Sequence, residues 1–153
     1  MDRMRESLFS ILGNLEGVSF LDLFCGSGIV GIEAASRGAE PIILVESDRL
    51  KRQTIMTNIH FIESSIALKA MTAERFIAHN QNSFEVIYLD PPFSYSNKLK
   101  LMQSIESKTA LAPSGLLVLH HPQEEVIPES IGSLTLSDTR AYGRSRLLFF
   151  RYS

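Results

Sequence analysis

The sequence predicts an α/β fold built on a mostly parallel sheet, on three observations. Helix and strand signals alternate along nearly the whole chain, as successive βα units make them. The second strand candidate, 41–45, is a continuous apolar run, which suits a strand covered on both faces. A glycine-rich turn, Gly26-Ser27-Gly28, separates the first strand candidate from the helix after it. At 153 residues the chain fits a single domain, 1–153, with room for one real core.

The elements follow in order. Residues 1–15 are expected to form an N-terminal helix, with Met4, Leu8, Ile11, Leu12 and Leu15 on one face and Gly17 beyond its end. Residues 18–24 read as a buried first strand, and 27–37 as a helix closed by Gly38. After the strand at 41–45, Asp48 caps a helix running toward His60. A weak third strand at 65–69 and a short helix at 73–79 follow. The fourth strand is 84–89, then come a helix at 98–107 and a fifth strand at 115–120. Residues 134–140 and 146–152 read as two strands joined by a turn at Tyr142-Gly143. Their antiparallel hairpin completes a seven-stranded sheet and departs from a plain dinucleotide-binding fold.

Composition narrows the function classes. The chain is 44% hydrophobic and 21% charged, an ordinary soluble balance, and no apolar run is long enough to cross a bilayer. The start, Met1-Asp2-Arg3-Met4-Arg5-Glu6, lacks the basic-then-apolar layout of a signal peptide, so a cytoplasmic location is expected. The lone Cys25 has no intrachain disulfide partner, no Cys/His cluster has zinc-ligand spacing, and no metal is expected. With a net charge of −2, any nucleic acid must be met by a local basic patch or presented within a larger particle. Arg3, Arg5, Arg140, Arg144 and Arg146 form such a rim if the first helix and last hairpin lie together, with Arg3 and Arg5 the favoured substrate-binding pair. Lys98, Lys100 and Lys108 are expected on a solvated helix face.

Two motifs carry the chemistry. In Asp22-Leu23-Phe24-Cys25-Gly26-Ser27-Gly28, the glycines let the backbone turn sharply and approach a ligand closely. Gly31 completes a Gly-x-Gly-x-x-Gly pattern, which is also the dinucleotide fingerprint. Glu46, at the end of the second strand, suits the ribose hydroxyls of either NAD or S-adenosylmethionine (SAM). Asp22 separates the two cofactors. A carboxylate there repels a pyrophosphate but attracts the ammonium group of SAM. A tight structural turn is the bland alternative. Cys25 at a helix start invites comparison with low-pKa nucleophiles, but a small packed residue is the plainer reading.

The second motif, Asp90-Pro91-Pro92-Phe93, ends the fourth strand. An arylamine is a poor nucleophile because its lone pair is delocalised into the ring. Asp90 offers a carboxylate and Pro91 a carbonyl to hold both N–H hydrogens. The Pro91 and Pro92 rings restrict the chain, so those acceptors stay fixed and stabilise the charge that develops on nitrogen. Phe93 is placed to stack on an unstacked base. Asp-Pro-Pro is also a common way to end a strand. Its place beside the first strand, where ligands of open α/β sheets bind, favours the catalytic reading. His120 and His121, ending the fifth strand, are given a minor role near the substrate mouth.

Together these segments resemble the RsmD-like methyltransferases, over nearly the whole chain. Asp2-Arg3-Met4-Arg5-Glu6-Ser7-Leu8-Phe9 resembles that family's leading helix. The glycine loop is followed by Gly31-Ile32-Glu33-Ala34 and Ser36-Arg37-Gly38-Ala39, and Glu46, Asp90-Pro91-Pro92-Phe93, Tyr142-Gly143 and 147–152 complete the match. The resemblance implies a Rossmann-like, SAM-dependent enzyme that methylates the N2 amine of a guanine in bacterial 16S ribosomal RNA, at position 966 of that RNA. It implies that the RNA is met within the small ribosomal subunit, with S-adenosylhomocysteine as product, and a monomer is expected. Two departures stand out. Thr72-Ala73 stands where the family usually has Asp or Asn before Ala, so altered adenine contacts are expected. No counterpart of the family's basic N-terminal β-hairpin precedes Asp2 in this sequence, which implies a weak grip on free RNA.

The expected cofactor set is therefore Asp22, Phe24, Cys25, Gly26, Ser27, Gly28, Glu46, Ser47, Thr72 and Ala73, and the catalytic set is Asp90, Pro91, Pro92 and Phe93. The competing readings are DNA adenine-N6 methylation, an NAD-dependent oxidoreductase, and a non-catalytic SAM- or RNA-binding protein.

Overall fold

A computed structural model describes residues 2–153; Met1, the first residue of the expected N-terminal helix, lies outside the described residues. Among the described residues the order is α1 (Arg3–Leu12), β1 (Phe20–Asp22), α2 (Ile29–Ser36), β2 (Ile42–Val45), α3 (Arg52–Ile59), β3 (Ile66–Lys69), α4 (Ala73–His79), β4 (Phe84–Leu89), α5 (Lys98–Ser107), β5 (Leu111–Pro122), β6 (Ser130–Ile131), β7 (Leu134–Tyr142) and β8 (Ser145–Tyr152). The strands form one sheet in the order β3-β2-β1-β4-β5-β8-β7-β6. The first five are parallel to their neighbours, and β8 returns antiparallel to β5.

Burial on both faces explains the apolar strands. Every residue of β4 except Glu85 is buried, and successive side chains point to opposite faces. Ile87 and Leu89 join a core with Phe76 and Ile77 of α4 and Leu101, Met102 and Ile105 of α5. Val86 and Tyr88 join the opposite core, with Leu8 and Phe9 of α1, Ala34 of α2 and Ile55 of α3. The sheet is thus the middle layer of three. No helix among the described residues is long and apolar enough to cross a membrane.

The structure moves several expected boundaries. The sheet has eight strands rather than seven. The added β6 is two residues long, turns at Gly132 (φ 59°) and pairs with the start of β7; two residues show no periodicity. The N-terminal helix ends at Leu12 because Gly13 (φ 71°) caps it, its N–H donating to the Phe9 carbonyl; Leu15 is buried without being helical. Asp48 caps a 3₁₀ turn, Arg49–Lys51, that leads into α3. The fifth strand begins at Leu111, not 115, since a register shift lets Leu111 pair with Phe84 and Leu116 with Val86. The intervening Pro113-Ser114-Gly115 reads as a turn but is a bulge within the strand.

Sheet order reverses between β1 and β4, each parallel to the other and in register from Phe20↔Val86 to Asp22↔Tyr88. Ligands of open α/β sheets bind beyond the carboxyl ends at such a reversal. The helix that leaves this point packs unusually close to β2. A Cβ on Gly31 would lie 2.3 Å from Leu44 Cδ2, and Leu44 is fully buried. Gly31→Val is therefore expected to cost about 2–3 kcal/mol by overpacking, read as a lower urea midpoint. An unchanged midpoint would contradict the close helix–sheet contact.

Candidate active site

The carboxyl ends of β1, β2 and β4 converge on a cavity of about 780 Å³, within the usual range for cofactor sites. It gathers every residue of the expected cofactor and catalytic sets except Gly28, which starts α2 in a left-handed conformation instead (φ 88°). Gly26 also has positive φ, 56°. The turn is fastened to β2 by two amides. Cys25 N–H donates to the Val45 carbonyl at 3.0 Å, and Gly26 N–H to Glu46 Oε1 at 2.9 Å. Asp48 N–H donates to Glu46 Oε2 at 2.9 Å. Glu46 is thereby held rigidly, and each carboxylate oxygen keeps a lone pair for a ligand hydroxyl.

Asp22 is 1% exposed. Burial pushes its carboxyl up from 3.8 to about 8, opposed by the Phe24 N–H that donates to Oδ1 at 3.3 Å and reinforced by the negative fields of Asp90 and Glu46. No Lys or Arg among the described residues forms an ion pair with it. A buried acid in this state suits a ligand cation, which would stabilise its ionised form. The Cys25 thiol is driven up by burial and then by Asp22 and Glu46, so it is a packed residue and not an activated nucleophile.

At the opposite side, Thr72 caps α4, its hydroxyl accepting from Arg75 N–H at 3.1 Å. That contact takes up one lone pair of the oxygen expected to meet adenine. Seven cavity residues lie outside the expected sets, Tyr95 and Glu74 among them. Tyr95 stacks edge-on against Phe24 with ring centroids 5.1 Å apart, and its hydroxyl donates to Glu74. The only sequence signal was an aromatic two residues after Phe93.

Asp90 sits at the mouth, its side chain 39% exposed. Its Oδ1 lies 2.9 Å from His120 Nδ1, and the Tyr88 hydroxyl donates to Oδ2 at 3.4 Å. His120 is thus at the mouth, as expected, and a direct neighbour of Asp90. Phe93 is 73% exposed beside it, as stacking on an incoming ring requires.

Arg3 and Arg5 do not line the cavity. They flank Met4, whose sulfur is 4.0 Å from the Tyr88 hydroxyl, and the Tyr142 hydroxyl donates to Ser7, so the first helix and the last hairpin do meet. Arg140 is already paired with Asp138 at 3.0 Å, so it is not free for the expected basic rim. Lys98 departs from the expected solvated face. It is 4% exposed because the loop after β5 folds over the start of α5, where Lys98 meets Glu125 at 3.1 Å and the Tyr95 carbonyl at 2.9 Å. His121 is buried nearby, and burial lowers its pKa.

The family model described as "Conserved hypothetical protein 95" matches residues 1–151, and this is the RsmD-like family. The chain belongs to it. The Bacillus subtilis (strain 168) protein YlbH is 33% identical over 156 residues, covering 98% of this chain and 85% of its own length. "Ribosomal RNA small subunit methyltransferase D" of Escherichia coli (strain K12) is 28% identical over 145 residues, covering 94% and 73%. A solved Streptococcus pyogenes structure, described as a conserved hypothetical protein, superposes with a TM-score of 0.91 at 29% identity over 97% of this chain and 95% of that one. The Rossmann-like methyltransferase architecture expected of an RsmD-like chain is therefore the one observed.

Asp22 sets a pH dependence. Its folded pKa of about 8 exceeds the ordinary 3.8, so between those values the folded chain holds a proton that the unfolded chain has released. Its contribution to stability is then lost as pH rises from about 4 to about 8. Asp22→Asn removes this penalty without changing shape. Without cofactor, the variant should match the wild type near pH 4 and exceed it at pH 8 by roughly 1–3 kcal/mol, as read by denaturant unfolding. A difference that does not grow with pH would contradict the buried-acid reading.

Proposed function

We propose that this protein transfers a methyl group from SAM to the N2 amine of a guanine in 16S ribosomal RNA of the small subunit. One observation carries the reading: a buried acid without a cation partner and a fixed carboxylate at a strand end, Asp22 and Asp90, share one cavity with the glycine turn and Glu46. The small-subunit RNA enters from the name of the Escherichia coli relative, and the amine at N2 from the RsmD-like resemblance.

Each residue has a definite task. Asp22 ionises against the ligand's ammonium group. Glu46 accepts from the ribose hydroxyls while Gly26 N–H and Asp48 N–H keep it in place. Phe24 and Tyr95, with Thr72 and Ala73, line the part of the cavity that would take the adenine. SAM supplies an electrophilic methyl group on a positively charged sulfur. Asp90 and the Pro91 carbonyl accept the two amine hydrogens, which aims the nitrogen lone pair and stabilises its growing charge. The base must leave its stack to reach Asp90, and Phe93 offers it a new stacking partner.

The reading makes linked predictions. Asp90→Ala should lower the single-turnover rate by at least about 10²-fold with SAM affinity unchanged. Glu46→Ala should weaken SAM by roughly 1.5–3 kcal/mol in calorimetry, where NAD gives no useful signal. Because the chain is slightly acidic, assembled small subunits should be better substrates than naked 16S RNA, and nucleoside mass spectrometry should find N2-methylguanosine. N6-methyladenine formed in DNA would instead establish the adenine reading, and tight NAD binding with silent SAM would overturn methyl transfer.

A further inference from the structure

Asp90 is the first member of a hydrogen-bonded string that joins the ends of β4, β5, β8 and β7. Its Oδ1 lies 2.9 Å from His120 Nδ1, and His120 Nε2 lies 2.8 Å from Ser145 Oγ, which in turn is 3.2 Å from the Tyr142 carbonyl. The His120 side chain is only 16% exposed, and both ring nitrogens have a protein partner. An ionised carboxylate only accepts. The nitrogen facing Asp90 must therefore carry the hydrogen, and in the neutral ring Nε2 then accepts the single Ser145 hydroxyl hydrogen, the 2.8 Å contact to Nε2 taking it in preference to the 3.2 Å contact to the Tyr142 carbonyl. This fixes both the tautomer and the ring plane.

The two oxygens of Asp90 are consequently unequal. Oδ1 is occupied by a short bond from His120. Oδ2 receives only the Tyr88 hydroxyl at 3.4 Å, near the limit of a hydrogen bond. We infer that His120, oriented by Ser145, is a positioning residue that turns Asp90 so that Oδ2 is the oxygen presented to the acceptor amine. This rests on the methyl-transfer reading above. As the nitrogen–carbon bond forms, the carbon–sulfur bond breaks with its electron pair remaining on sulfur. The surplus amine proton passes to Oδ2, while the His120 bond holds Oδ1 still.

A double-mutant cycle with a spectroscopic arm tests this. His120→Ala should slow single-turnover methyl transfer on the order of 10²-fold, with SAM affinity and the RNA concentration dependence unchanged. His120→Asn, whose amide N–H replaces Nδ1–H, should recover most of that loss. Ser145→Ala should slow the wild type several-fold but have no further effect in the His120→Asn background, since an amide has no tautomer to fix. Nitrogen NMR of the free protein should show the Nδ1–H form of His120, mixed with Nε2–H in Ser145→Ala. The inference is overturned by a wild-type rate in His120→Ala, by His120→Asn as slow as His120→Ala, or by an Nε2–H ring in the wild type. If the wild-type protein methylates no RNA, the functional reading falls, while the ring spectrum still decides whether His120 holds Asp90 through Nδ1–H.

Discussion

The structure depends on one constraint, the parallel register of β1 against β4. Asp22 lies opposite Tyr88, so the chain leaves β1 at a buried acid and leaves β4 two residues later at Asp90. Two carboxyls from distant parts of the sequence thus reach one mouth with different surroundings. Asp22 is enclosed and tends to hold its proton, whereas Asp90 is partly exposed and held by His120 and Tyr88. Environment, not residue type, sets the two carboxyls apart.

The helix layers serve this register. α2 packs against β2 so closely that a Cβ at position 31 would press on the buried Leu44 side chain. Glu46, at the end of β2, then ties the turn 22–28 by its amide. The hairpin β7–β8 extends the sheet on the other side and brings Ser145 to His120. The same hairpin reaches α1 through Tyr142 and Ser7.

Much of this was legible in the residues. Asp22, Gly26, Glu46 and Asp90 were found because each belongs to a short segment that ends a strand, and strand ends are where such sheets bind ligands. The core elements were legible for the same local reason: their apolar periodicity is continuous. What escaped the sequence depends on distant pairings. His120 meets Ser145 only because β5 and β8 run antiparallel with Pro122 opposite Ser145, and nothing near His120 announces that register. Lys98 looked like a surface lysine because its partner, Glu125, arrives from a loop 27 residues away. β6 was missed because two residues carry no pattern, and β5 was shortened because a bulge containing Pro113 and Gly115 resembles a turn.

The central claim, that Asp22 is a buried acid kept for a ligand cation, is tested most directly by titrating SAM into the protein at pH 6.5 in two buffers of different ionisation enthalpy. The cation should force Asp22 to ionise, so binding should release about one proton, and Asp22→Asn should bind more weakly with that release abolished. Binding of SAM with the same heat in both buffers, or with a release that persists in Asp22→Asn, would contradict the account.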